Sequence, residues 1–127
     1  MNKALRVPDY LRHILKAIDR IDRYTEDMDE VEFLKSDLVQ DAVIRNIEII
    51  GEASNSIVRV SPEFAAQHDD IPWLVMYAMR NRVSHGYDKV DLEILWKTIQ
   101  ADLPSLSNKI TELSKEVHRN LDQAGFE

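Results

Sequence analysis

The chain has 127 residues, which suits one domain, and its hydrophobic content of 44% allows a small core. The formal net charge of −7 argues against a broad electrostatic surface for nucleic acid but leaves room for a local basic cleft. The absence of cysteine excludes disulfide bonds and thiolate metal sites, and the four histidines show no metal-ligand spacing. Because no apolar run approaches the roughly 20 residues of a membrane span and no signal peptide is visible, we expect a cytoplasmic protein that does not enter a membrane.

The pattern of apolar residues predicts helices and no strands, so we expect an all-α fold. Pro8 is expected to start a first helix over residues 8–25, along which apolar residues recur at intervals of three or four. His13 lies off this apolar stripe and is expected at the surface. Asp29 and Glu32 have the spacing of a capping box, which predicts a short helical turn after the first helix.

A second long helix is predicted over residues 37–59, with Ser36 as its N-cap. Gly51 lies inside this helix, where glycine costs about 1 kcal/mol relative to alanine. A close approach of another helix would account for the missing side chain, and room for an active-site loop is the functional alternative. Glu48 and Glu52 are one turn apart, but no histidine or aspartate stands at metal-binding spacing, so they are interpreted as an ordinary helix face.

Two further elements lead to a polar motif. Ser61 followed by Pro62 predicts the N-cap and the first residue of a short helix over residues 62–67. Pro72 is expected to start a third helix that runs up to the motif at residues 79–88. The tryptophan, methionine and tyrosine side chains of this helix are expected to pack in the core.

The last helix is expected to begin near Asp91, and Pro104 should kink it near residues 100–104. Its apolar seam can pack inside a bundle or across a dimer, and residues 120–127 are expected to fray. The seam repeats every seven residues, at Leu92, Ile99, Leu106 and Leu113 and at Trp96, Leu103, Ile110 and Val117.

The motif concentrates Arg80, Arg82, His85 and Tyr87 around Gly86. On a continuous helix Arg80 and Tyr87 would lie about 20° apart, and His85 would point roughly 140° away from Arg80. Glycine commonly follows the last turn of a helix, so we expect the helix to fray or end near residues 84–86 and His85 to swing out at the turn. Arg80, His85 and Tyr87 could then converge on one cleft. The simpler interpretation is a helix C-cap with cations that compensate the helix dipole.

The side chains of this motif suit a phosphate group. Arginine presents a charged planar fork that matches phosphate oxygens, and histidine moves a proton near neutral pH. An arginine and a histidine are in principle sufficient, without a metal ion, for cleavage of RNA by the neighbouring 2′-hydroxyl group. Arg82 and Lys89 within the motif, and Arg45 on the second helix, are further candidate RNA contacts.

Three stretches of the chain resemble one known family. Residues 80–87, followed by Val90 and Asp91, resemble the Arg-x4-His-x-Tyr signature of HepT-like proteins, small all-helical ribonucleases of the HEPN superfamily. Residues 41–53 and 71–73 are also similar to this family, in the same order along the chain. The similarity covers nearly the whole sequence.

The resemblance implies an up-and-down bundle of four to five helices over residues 1–127. It also implies a homodimer in which the motifs of both chains meet in one composite cleft. Arg80 would stabilise the phosphorane, and His85 would move protons. Asn81, the polar residue that directly follows the arginine in HEPN sites, would orient His85 or the phosphate. No metal ion or other cofactor is implied, and the product would carry a 2′,3′-cyclic phosphate.

The resemblance further implies a toxin of a two-gene toxin–antitoxin system. Its partner would be a minimal nucleotidyltransferase, an antitoxin that transfers AMP from ATP to Tyr87. A phosphodiester on Tyr87 would place negative charge close to Arg80 and would compete with the RNA phosphate.

Two other functions fit the same residues. A non-catalytic HEPN module that binds a nucleotidyltransferase would agree with the acidic net charge, whereas the intact Arg80, Asn81, His85 and Tyr87 favour the nuclease. A structural adaptor that dimerises through the last helix would tolerate loss of Arg80 and His85 without loss of any activity.

Overall fold

The computed structural model describes the backbone of residues 3–85 and 91–125 and the side chains of residues 6–83, 91–120 and 122. All regular structure in these ranges is helical, which confirms the predicted all-α class. No helix in the described ranges is long and apolar enough to cross a membrane. The α-helices are α1 (Lys3–Thr25), α2 (Glu30–Lys35), α3 (Asp37–Val60), α4 (Pro62–Gln67), α5 (Trp73–His85), α6 (Leu92–Lys97) and α7 (Leu103–Gly125), and a π-helical segment (Thr98–Asp102) joins α6 to α7.

The first helix begins earlier than predicted. It starts at Lys3, and Pro8, which was expected at the first position, lies in the helix interior. A proline this close to a helix N-terminus removes only one intrahelical hydrogen bond. Val7 is 3% exposed and extends the buried stripe of Leu11 beyond the proline. Burial of this stripe therefore outweighs the start signal of the proline.

The short elements follow their capping residues. Asp29 accepts a hydrogen bond from the backbone N–H of Glu32 at 2.8 Å, and Glu32 accepts one from the backbone N–H of Asp29 at 3.1 Å. The predicted capping box is thus confirmed at the start of α2. Ser36 caps α3 as predicted, through its hydroxyl. Pro62 begins α4 as predicted, whereas Ser61 makes no hydrogen bond from its side chain to cap that helix.

Helix α3 is the central element, because it packs against both α1 and α5. The hydroxyl of Ser54 lies 3.8 Å from the sulfur of Met76, and Gly51 faces Arg80 further along α5. Since the later α3 residue meets the earlier α5 residue, the two helices run antiparallel. The largest fully buried side chains come from several helices and are Leu11, Ile14, Ile18, Ile21, Phe33, Val43, Ile47, Ile57 and Ile110.

The predicted kink in the last helix takes the form of the π-helical segment. The N–H of Leu103 donates to the carbonyl of Thr98, five residues earlier. Pro104 has no N–H to continue an α-helical ladder at the next position. The wider π-turn also shifts the phase of the seam, so that Leu95 is buried while Trp96, the predicted seam residue, is only partly buried.

The seam of the last helix fills the interior of a single chain. Helix α7 packs against α1. The adaptor hypothesis requires this seam to be free to pack against a second copy of the chain. The seam is instead buried within one chain, which argues against that hypothesis. The backbone is helical to Gly125, and the fraying expected over residues 120–127 stays a prediction. The buried seam residues are Ile99, Leu103, Leu106, Ile110 and Leu113.

Candidate active site

Arg80 lies where α5 crosses α3 at Gly51. A Cβ atom on residue 51 would overlap the Cβ of Arg80, lie 2.9 Å from its Cγ and lie 3.0 Å from the carbonyl oxygen of Met76. Real Cβ atoms are essentially never found under 3.0 Å from another heavy atom, so the two contacts with the Arg80 side chain would force a displacement. The close helix approach predicted from Gly51 is therefore confirmed, and the residue on the opposite helix is the first arginine of the motif.

Two oxygen atoms hold the guanidinium of Arg80. Its Nη2 lies 2.7 Å from Oε1 of Glu52, and its Nη1 donates a hydrogen bond to Oδ1 of Asn81 at 2.9 Å. The Arg80 side chain is 26% exposed, so part of the fork remains open to a ligand. Its Nε is buried and has no hydrogen-bond partner among the described residues. The direction of the guanidinium is therefore fixed through its two terminal nitrogens, Nη1 and Nη2, and not through Nε.

Glu52 is the residue of this site that sequence reasoning missed. It was interpreted, with Glu48, as an ordinary helix face, yet it pairs with Arg80 across two helices. The signal that could have identified it is Gly51. The residue that follows a glycine at a helix crossing lies beside the same crossing, and a carboxylate there can meet a cation on the approaching helix.

A groove of about 310 Å³ opens beside Arg80, between α1, α3 and α5. Arg45, a predicted RNA contact, lines it together with Arg80. The groove contains two guanidinium and two carboxylate groups, so its charges nearly balance. Its walls are Tyr10, His13, Arg45, Glu48, Ile49, Glu52, Ala53, Ser56 and Arg80.

The other predicted RNA contacts are not in this groove or are not described. Arg82 is exposed and lines a separate, smaller groove with Val83 and Asp91. Tyr87 and Lys89 lie outside the described residues. The backbone of His85 is the last described position of α5, and its side chain lies outside the described set. The predicted convergence of His85 and Tyr87 on Arg80 therefore concerns side chains that are not described.

Titratable groups give no sign of a metal centre in the described part of the chain. Among those residues, no three or more histidine, aspartate or glutamate side chains are grouped so that they could hold a metal ion. The pKa of Asp22 is raised by burial and, to a smaller extent, by the neighbouring carboxylate of Asp19. Asp22 lies against the π-helical segment, away from Arg80.

Comparison with known proteins gives matches over most of the chain. A family model described as Ribonuclease HepT-like matches residues 14–113. A protein of Thermococcus cleftensis named "Probable ribonuclease HepT" is 43% identical over 107 residues, with 84% of this chain and 94% of that protein covered. A protein of Methanocaldococcus jannaschii named as a gamma-glutamylcyclotransferase and putative RNase is 39% identical over 120 residues, which are 94% of this chain and 52% of that protein. This chain thus spans about half the length of the second relative. No solved structure matches.

Proposed function

The chain belongs to the ribonuclease HepT-like family, and we propose that it is an endoribonuclease that cleaves RNA without a metal ion. The observation that carries the proposal is the placement of Arg80. Its guanidinium is directed by Glu52 and Asn81 while the side chain stays 26% exposed at the edge of a groove. A directed and partly desolvated guanidinium is suited to charge that develops on a phosphorus centre.

The proposed reaction is an in-line transesterification within the RNA. His85 removes the proton of the 2′-hydroxyl, whose oxygen attacks the adjacent phosphorus. The bond from phosphorus to the 5′-oxygen breaks, and the partner's His85 protonates that leaving oxygen. The products are a 2′,3′-cyclic phosphate end and a 5′-hydroxyl end. Arg80 stabilises the negative charge on the pentacoordinate phosphorus, and Asn81 fixes the direction of the arginine fork.

We propose that the active form is a homodimer. One chain supplies one histidine to the motif, whereas the reaction uses a base and an acid, so two copies complete the set. Leu74 and Val75 on α5, the helix that carries the motif, are 63% and 62% exposed. Exposed apolar side chains on the same helix support an interface that would place both motifs in one cleft.

Regulation by a cognate antitoxin is part of the same proposal. A minimal nucleotidyltransferase would transfer AMP to Tyr87, which lies seven residues after Arg80 in the sequence. The added phosphodiester would compete with RNA for the guanidinium, and the adenosine would block the cleft. Arg82 and Lys89 are proposed to contact the RNA backbone away from the scissile phosphate, and Arg45 is proposed to contact the RNA within the groove beside Arg80.

The test is cleavage of RNA by the purified protein in the presence of EDTA, with the RNA ends analysed. We expect the wild type to produce cyclic-phosphate ends, and Arg80→Ala and His85→Ala to lose on the order of 10²-fold or more in rate. Arg119→Ala and His118→Ala, at exposed positions of α7, are the matched controls and should retain the activity.

The alternative is a non-catalytic module that binds the nucleotidyltransferase. The formal net charge of −7 favours it, and a purely structural ion pair between Arg80 and Glu52 would have the geometry seen here. This alternative predicts a folded wild type, unmodified at Tyr87, that binds the nucleotidyltransferase and leaves RNA intact. In a bacterial host, this alternative predicts normal growth after expression of the protein is induced.

A further inference from the structure

The N-terminal helix, which carries no part of the motif, brings two aromatic rings to the groove beside Arg80. The rings of Tyr10 and His13 meet edge to face, with their centroids 6.2 Å apart and an interplanar angle of 80°. Tyr10 packs against the core, whereas His13 is exposed. In an edge-to-face contact each ring keeps at least one face free of the other ring, so the exposed ring of His13 has a face available on one wall of the groove.

The charges of the groove do not suit a second phosphate. The carboxylates of Glu48 and Glu52 would repel it. Arg45 and Glu48 make no ion pair with any residue in the described part of the chain, so both are available to a ligand. The groove therefore combines an aromatic surface, an available donor and an available acceptor at nearly balanced charge. This combination fits an uncharged heterocycle with a polar edge.

We propose that this groove binds one nucleobase of the RNA, stacked on the ring of His13 and next to the phosphate held by Arg80. Its volume of about 310 Å³ is within the usual range for small-ligand sites. The proposal rests on the ribonuclease function proposed above. It adds a base-binding subsite between α1 and α3, in which Tyr10 supports His13 on α1 while Arg45 and Glu48 on α3 face the polar edge of the base.

The first experiment measures the affinity of 2′-O-methyl hexanucleotides by fluorescence anisotropy, because such RNA lacks the attacking hydroxyl and is not cleaved. We expect His13→Ala to weaken binding roughly fivefold to hundredfold, as loss of a base-stacking ring does. His13→Phe should restore most of the affinity, since it keeps a flat ring without the imidazole. His118→Ala, an exposed histidine on α7, is the matched control and should bind like the wild type.

The second experiment replaces each nucleotide of the hexamer in turn by an abasic residue. One position should weaken binding to the wild type and have little further effect on His13→Ala, because the two changes remove the same contact. A wild type that cleaves RNA while His13→Ala keeps full affinity would overturn the subsite alone. A wild type that neither cleaves RNA nor binds the hexamers would overturn the ribonuclease function and, with it, the subsite.

Discussion

Gly51 and Pro104 each weaken a long helical stretch, and the two places differ in what lies beside them. At Gly51 helix α3 remains a continuous α-helix, and α5 approaches so closely that Arg80 faces the missing side chain. At Pro104 the α-helix is instead preceded by a π-helical segment, and the adjoining groove contains Asp22 and Glu26 but no basic side chain among its lining residues. Of these two places, only the crossing at Gly51 brings oppositely charged side chains of two helices together, those of Arg80 and Glu52.

We expect the largest effect on stability and on RNA cleavage from a substitution at Gly51. Gly51→Ala would gain about 1 kcal/mol of helix propensity, but the overlap with the Cβ of Arg80, which cannot move away as a flexible side-chain end could, should cost about 3 kcal/mol. We expect a net loss of unfolding free energy in urea denaturation, together with reduced RNA cleavage because Arg80 is displaced. Asp41→Ala, at an exposed position of α3, is the control and should change stability by less than about 0.5 kcal/mol. Unchanged stability and activity in Gly51→Ala would refute the close crossing.

The second prediction concerns the ion pair at the same crossing. Glu52→Ala should lower kcat for RNA cleavage about tenfold to hundredfold with a smaller change in KM, since it removes an oxygen that directs the Arg80 fork. Glu52→Gln should recover part of kcat, because its amide oxygen can still accept from Nη2. Glu63→Ala, on the exposed side of α4, is the control. An equal loss of kcat in Glu52→Gln and Glu52→Ala would assign the role to charge and contradict directional positioning.

Most of the fold could be predicted, because its signals act over short distances. The capping box of Asp29 and Glu32 and the cap at Ser36 each depend on residues within one turn. The start at Pro8 was predicted wrongly, because burial of Val7 against other helices decides it. The π-helical segment was predicted only as a kink, since sequence spacing does not distinguish how a helix accommodates Pro104.

The site was only partly predictable for the same reason. Arg80 and Asn81 are recognisable in the sequence as neighbours in a motif, but Asn81 was expected to orient His85 or the phosphate, and its hydrogen bond with Arg80 was not predicted. The pairing of Glu52 with Arg80 depends on which face of α3 meets α5. The base-binding role proposed for His13 depends on how α1 packs beside α3. The predicted exposure of His13 is confirmed, but exposure alone does not indicate the groove that this residue lines.

The third prediction tests whether the π-helical region is independent of the site. Pro104→Ala restores an N–H group that can donate within the helix, but it also makes the unfolded chain more flexible. These effects oppose each other, so we expect a change in unfolding free energy of less than about 1 kcal/mol and no change in RNA cleavage. Thermal denaturation and the cleavage assay measure the two quantities. A loss of cleavage in a stable Pro104→Ala protein would mean that the two regions are coupled.

The smallest predicted effect is at Asp22, which lies beside Pro104. Burial and the carboxylate of Asp19 raise the pKa of Asp22, so the folded protein disfavours the charged form. The resulting penalty is present at neutral pH and is relieved as the pH falls and the carboxyl group takes up a proton. Asp22→Asn should therefore raise Tm at pH 7 by less than about 2 °C, with a smaller gain at acidic pH. Asp69→Asn, at an exposed aspartate, should show no such pH-dependent gain.

Because the penalty acts on folding and not on the groove of Arg80, RNA cleavage by Asp22→Asn should equal that of the wild type. A change in cleavage without a change in Tm would show that charge at the π-helical region reaches the site.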